Sequence, residues 1–571
     1  MRHVASTASA FLLFTIVRLA GAGGLELLPP GARSLARGGA VAARPEDPMA
    51  MLHNPAGLAL LPEGSQVIVG VDAPFHHMCV QPYGYYGWGV YSAGSSEFGD
   101  PLALDNPNMP TIGSTYATTP LGEVCNSARV VPIPQLAITT KLTKDIAIAG
   151  GLVSPMVVAG LQYGGADGTQ QTPYGSRPTP TRYSLISQGA DFALAPSISA
   201  AYRVIPELSF GINVQIAMLQ ANTATVQNNF GGTNPSTDWF VKVKAQDFFM
   251  PAITFAVHAR PTNRLNLMGA FRWVDDFKGT GELSYETNTY HRGATSGPVP
   301  YQNPPVKLSD VTLRLPWQIT AGARYAGLLS DVACEPGPGD PMDTELWDIE
   351  VDLGYSLNAR ASQTSASIGE DVTVVTRTAG GAAGSNTVPL KDLSAFNVDH
   401  HLKDSVTARL GGSYAVLPRK LVAHAGGFFE SRGVDPAYAD IDSFSFQRIG
   451  FGLGLVLRAG SFDLQAGYGH IFSETLNIAP PPHQNVDDAV LGDPRSGFDK
   501  RVGGTVESNG SRSGGVVLED PRAPSRSSAD AIAAKTQQSA VVTVDQPNRV
   551  INAGQYAAHF DVVSVGVVYH F

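Results

Sequence analysis

From about residue 66 to its end, this chain alternates apolar and polar side chains with a period of two. That pattern constrains the fold more than any other feature. In WDIEVDLGY, Trp347, Ile349, Val351, Leu353 and Tyr355 share one face, and Asp348, Glu350, Asp352 and Gly354 share the other. RIGFGLGLVLR sets Ile449, Phe451, Leu453, Leu455 and Leu457 opposite Arg448, Gly450, Gly452, Gly454 and Arg458. LSFGINVQIAM repeats the pattern from Leu208 to Met218. Such segments are strands whose two sides meet different surroundings. Nowhere does the chain hold the roughly 18 consecutive apolar residues that a spanning helix needs.

A soluble sandwich would alternate as well, so the character of each face decides. The polar face is rich in glycine and charge, and the apolar face turns aromatic near strand ends, as at Trp273, Trp317, Tyr325, Trp347, Tyr355, Tyr468, Phe472 and Tyr569. Only 15% of residues are charged and 61 are glycine, a low charge content for a soluble domain. Aromatic girdles around an apolar band with a polar lumen describe a transmembrane β-barrel. Strand cores are predicted at 66–74, 132–142, 146–156, 183–204, 208–221, 241–260, 264–285, 309–326, 346–358, 405–417, 421–431, 445–459, 462–473 and 559–571, fourteen antiparallel strands in all. Short turns alternate with long polar stretches at 75–130, 157–180, 225–246, 288–308, 360–404 and 474–556, the arrangement of periplasmic turns and outer loops. The final strand, FDVVSVGVVYHF, ends on an aromatic residue like the assembly signal of bacterial outer-membrane proteins. It implies the barrel-assembly machinery and outer-membrane lipid as partners.

Residues 1–22 read as a signal peptide, with Arg2, an apolar run from Ala10 to Val17 and Ala20-Gly21-Ala22 before the cut. Residues 23–62 are small, apolar and helix-compatible, suited to capping or plugging a barrel that occupies 63–571. A net charge of −10 argues against nucleic acid as a partner. Among three cysteines, Cys79 and Cys125 could pair across one long loop, leaving Cys334, or all three could be thiols. No C-x-x-C occurs, and no metal ligand set or cofactor site is assigned.

The segment GARSLARGGAVAARPEDPMAMLHNPAGLALL resembles the N-terminal hatch of the FadL/TodX family of outer-membrane transporters for hydrophobic compounds. The likeness is carried by Gly31-Ala32-Arg33, Arg37-Gly38-Gly39-Ala40, Asp47-Pro48 and Asn54-Pro55-Ala56-Gly57-Leu58. Later segments, among them LRLPWQITAGARY and INAGQYAAHFDVVSVGVVYHF, resemble the family's later strands in order. The resemblance implies a fourteen-stranded monomeric barrel in the outer membrane of a Gram-negative bacterium, with a hatch in its lumen. It implies passive diffusion of long-chain fatty acids or other hydrophobic ligands, and no enzymatic activity. Cargo would be captured near loops 225–246 and 288–308, with Phe230, Trp239 and Phe240 as candidates. It would leave sideways at the third strand, where Gly150, Gly151 and Pro155 are suited to interrupting the ladder. Asn54, Pro55 and Ala56 are expected to form a rigid turn that seats the hatch and relays the arrival of ligand.

Other readings fit less of the chain. An outer-membrane phospholipase needs a nucleophile and base at the lipid boundary, and no G-x-S-x-G is present. An adhesin or structural barrel would suit the loop 474–556 but leaves the hatch unexplained. An open porin is at odds with a plug.

Overall fold

The computed structural model describes residues 28–82, 122–153, 160–172, 175–182, 184–227, 239–289, 298–330, 332, 339–378, 381, 383–388, 396–434, 441, 446–478, 505–506, 512–513, 542–545 and 554–571. Fourteen strands close into an antiparallel barrel. They are β1 (Ser65–Pro82), β2 (Ile133–Lys141), β3 (Ile146–Val153), β4 (Pro196–Ile205), β5 (Leu208–Gln227), β6 (Trp239–Ala259), β7 (Leu265–Val274), β8 (Gln318–Leu328), β9 (Glu345–Ser356), β10 (Ser405–Leu417), β11 (Leu421–Glu430), β12 (Arg448–Ala459), β13 (Phe462–Ser473) and β14 (Gly554–His570). Each pairs with the next, and β14 pairs with β1 from Gln66↔His570 to Pro82↔Gly554. Pairing of the last strand with the first means that neither presents an open edge to lipid.

The faces are inverted relative to a soluble protein. On β9 the outward Leu353 is 55% exposed, while the lumenal Glu350 and Asp352 are at 0%. Outward Val563, Val565 and Val567 on β14, and Leu453 and Leu455 on β12, continue the exposed apolar belt. A closed cylinder with this belt is built to stand in a membrane.

Several segments read as single strands are interrupted. Residues 264–285 form β7 and then Phe277–Thr287, and 309–326 fall in Val306–Leu313 and then β8. The stretch 183–204 is broken at Ala195 between Ser187–Leu194 and β4. Conversely, regions read as loops contain paired strands: β1 runs on to Pro82, and Gln363–Ile368 pairs with Val306–Leu313. Above the membrane belt these extensions enclose an apolar core that includes Leu219, Val241, Val243, Leu283, Tyr285, Val311 and Ile368.

The lumen below is filled by residues 28–62, which contain α1 (Ala32–Ala36), α2 (Ala50–His53) and a 3₁₀ turn, Pro55–Leu60. Beside the closing seam, Cys79 of β1 lies opposite Cys125 at a Cα separation of 4.0 Å, and the two form a disulfide. Cys334 lies outside the described residues. Alkylation without reductant, read by peptide mass spectrometry, should leave Cys79 and Cys125 unlabelled and recover them as one linked peptide. Full labelling of both would contradict this pairing.

Candidate functional site

The hatch has little regular structure, so its polar groups need partners from the barrel. Strand β9 provides many of them. Arg37, fully buried, donates to Asp348 Oδ1 and Glu350 Oε2, each at 2.8 Å, and to Ser413 Oγ. Arg44 pairs with Glu345 at 2.9 Å and with Asp348 and Glu46. Arg33 reaches Asp463 of β13 at 3.0 Å. The backbone N–H groups of Val41 and Ala42 both donate to Asp352 Oδ2 at 3.0 Å, and that of Ala43 donates to Glu350 Oε1 at 2.6 Å. These are charge-assisted bonds in a site closed to water, where a missing partner is most costly.

The glycines of the lumenal face let the two parts approach. A Cβ at Gly452 would lie 1.8 Å from the Leu35 carbonyl oxygen, and one at Gly426 would lie 2.1 Å from that of Arg37. Strands β11 and β12 therefore present bare backbone to α1. The alternation of glycine with leucine in GFGLGLVL is a docking floor on one side and a lipid face on the other.

Asn54, Pro55 and Ala56 form a buried turn held by three strands. Asn54 Nδ2 donates to Ala42 O at 2.7 Å and contacts His258 Nδ1 at 2.8 Å, while its Oδ1 accepts from Gly57 N at 3.0 Å and caps the 3₁₀ turn. With Nδ1 accepting, His258 Nε2–H is left to donate to Asn266 Oδ1 at 3.1 Å. Ser209 Oγ donates to Ala56 O at 2.9 Å, and a Cβ at Gly211 would lie 2.2 Å from Ala56 N. The turn is thus tied to β5 and β6 directly, and to β7 through the His258 ring.

Above the hatch lies a cavity of about 180 Å³. Its lining is mixed: Val41, Leu52 and Ala270 stand beside Gln215, Thr407 and Arg409. His53 also faces it. Burial, reinforced by the positive charge of Arg409, lowers the His53 pKa to about 4, so the imidazole is neutral at pH 7.

The cavity reaches the wall where three neighbouring strands break at one level. The β7–β8 ladder stops at Arg272↔Gln318, and β9 ends at Ser356 before a 3₁₀ turn, Asn358–Ser362. Val274, Leu315, Pro316, Ser356 and Asn358 line the cavity there. Side chains patch the break: Trp317 Nε1 donates to Val274 O at 3.1 Å, Arg360 donates to Leu315 O at 2.5 Å and pairs with Asp276 at 2.8 Å. The Arg360 guanidinium also stacks 4.5 Å from the Trp317 ring centroid.

Other expected positions fall differently. Gly150 and Gly151 do not interrupt the third strand: Gly150 pairs with Ile138 and Ile198, and Gly151 with Ala137 and Ser197. The reason is steric, since inward Gly151 admits the Met51 sulfur 3.1 Å from where its Cβ would stand. Pro155 lies outside the described residues, as does Phe230. Trp239 and Phe240 are not exposed on a loop. They begin β6 and are buried, Trp239 against Tyr285 and Phe240 with Ile186 and Val226.

Sequence reading missed one contact of catalytic appearance, Ser413 Oγ to His424 Nδ1 at 2.8 Å. Arg37 donates into the same hydroxyl oxygen, and both residues are buried within the lumen. The pair braces the hatch network.

No family model matches the sequence, and no curated protein matches it. Solved structures do share its fold. A FadL homologue of Pseudomonas aeruginosa superposes with a TM-score of 0.59 at 13% identity, covering 97% of this chain and 100% of that one. The toluene transporter TodX of P. putida gives 0.51 at 14% identity over 96% and 99%.

Removing one member of a buried ion network typically costs ~3–5 kcal/mol. Arg37→Ala should therefore leave a heat-modifiable barrel but unseat the hatch, raising ion conductance in planar bilayers and exposing residues 28–62 to protease. Conductance equal to that of the parent would show that the network does not hold the hatch.

Proposed function

We propose that the chain is an outer-membrane channel of the FadL/TodX type, carrying long-chain fatty acids or other hydrophobic compounds by passive diffusion past a gated hatch. The observation that carries this reading is a hatch seated across the lumen beneath a cavity that abuts a three-strand break in the wall. A water-filled porin has no use for that combination, and neither does an adhesin.

Energetics favour a sideways exit. Each methylene moved out of water is worth ~0.8 kcal/mol, so releasing a chain of about fourteen methylenes into water would cost roughly 11 kcal/mol. Release into lipid avoids most of that cost. The exit we assign is the patched break between β7, β8 and β9, because the cavity abuts it at Val274, Leu315 and Pro316; the third-strand ladder runs through Gly151 to Leu152. Its Trp317–Arg360–Asp276 patch rests on side chains, which move more readily than a backbone ladder.

The mixed lining suits an amphipath better than a pure hydrocarbon. A volume of about 180 Å³ is close to that of a cavity of ~150 Å³ known to hold benzene. It accommodates one end of a long molecule, and the rest requires the hatch to give way. Asn54, Pro55 and Ala56 are the relay, since they join the hatch to β5 and, through His258, to β6 and Asn266 of β7, the strand whose far end meets the break.

Uptake is tested in cells lacking their own such transporter, comparing labelled long-chain fatty acid, toluene and a hydrophilic sugar. Hydrophobic uptake without sugar flux is expected. It should fall at least severalfold in an Asn54→Ala, Pro55→Ala variant present at equal surface level. Toluene uptake without fatty acid would narrow the cargo to small hydrocarbons, and sugar flux would refute the gated channel.

A further inference from the structure

On the outward face of the closing seam, three histidines and an aspartate converge from the first strand and the last two. His77 of β1 pairs in register with His559 of β14, and their rings stack with centroids 4.7 Å apart. The His470 ring of β13 lies 5.5 Å from that of His559. Asp561, on the same face of β14, stands 4.0 Å from His77 Nε2 through its Oδ2. The ligand atoms of His77, His559 and Asp561 all lie within 4.8 Å of one another.

Asp561 is held as a metal-ligating carboxylate is held. Its Oδ1 accepts from Tyr468 OH at 2.5 Å and meets His470 Nδ1 at 2.8 Å. Both bonds go to the oxygen away from the His77 contact, which fixes the carboxylate plane and leaves Oδ2 directed at the imidazoles. Such outer partners orient and tune a metal's ligands. The position is accessible: the His77 and Asp561 side chains are 55% and 29% exposed, and Asp561 stands just beyond Val563, where the exposed apolar face of β14 begins.

We propose that His77, His559 and Asp561 form a site for a borderline divalent transition-metal ion of the zinc class, with His470 and Tyr468 as positioning residues. Two imidazoles and one carboxylate leave a fourth, tetrahedral position for water. Small side-chain rotations bring the three ligand atoms to coordination distance. The bound ion ties β1 to β14, the two strands most distant in sequence, at the seam that closes the barrel. By mass action it stabilises the closed form over the open one. Nothing in this depends on the cargo.

The test uses the full chain purified in detergent and stripped with chelator. Zinc is titrated against a chromophoric competitor, and cobalt is followed by its visible absorption. One ion per chain at micromolar or tighter affinity is expected, with a rise of several degrees in the midpoint of heat modification. A His77→Ala, His559→Ala variant should lose at least ~100-fold in affinity together with the thermal shift. His470→Ala should lose ~10-fold. Heat modification of both variants without metal confirms that they fold. Zinc affinity unchanged in the double variant, or parent binding no tighter than millimolar, would overturn the site.

Discussion

The structure depends on burial of charge between hatch and barrel. Asp348, Glu350 and Asp352 point into the lumen from one strand and are shielded from solvent. Carboxylates in that setting must be paired or bear a large desolvation cost. Arg37 and Arg44 from the hatch and Arg324 from β8 converge on Asp348 and its neighbours. The acids reciprocate by accepting the otherwise orphaned amides of Val41, Ala42 and Ala43. Neither partner is satisfied alone, so an almost structureless segment acquires one position inside a cylinder.

This arrangement also has a mechanical consequence. Polar networks have defined directions and few alternative geometries, so the hatch is seated or unseated more readily than it is deformed. The Asn54–Pro55–Ala56 turn joins that seated state to β5 and β6, and through His258 and Asn266 to β7, whose far end is where the wall breaks. The cavity is lined by Leu52 and His53 of the hatch and by Leu315 and Pro316 of the broken wall, so the proposed cargo would touch both. A ligand with different contacts in the two states shifts the balance between them.

Much of this was legible in the sequence. Period-two alternation located the fourteen strands because a barrel wall offers each side chain one of two surroundings. The polar faces of WDIEVDLGY and GFGLGLVL named the lumen, although only the structure showed that glycine is there to admit the hatch. The breaks after Val274 and before Gln318 were read through, since hydrophobic alternation resumes beyond them. Pro316 and the Asp275-Asp276 pair were the local signals that could have marked them. Trp239 and Phe240 looked like loop aromatics because their burial comes from Tyr285 and Ile186, residues distant in sequence. The His77–His559–Asp561 cluster was invisible for the same reason, as it exists only once β14 lies beside β1.

Buried charge seats the hatch, and in the proposed function cargo unseats it. Hydrogen exchange of the Val41, Ala42, Ala43 and Gly57 amides in the detergent-solubilised protein tests this most directly, with and without a long-chain fatty acid. Slow exchange is expected without ligand, with acceleration of these four amides on ligand addition while those of β10 to β13 stay protected. Equal protection under both conditions, in protein shown to bind the ligand, would contradict unseating by cargo.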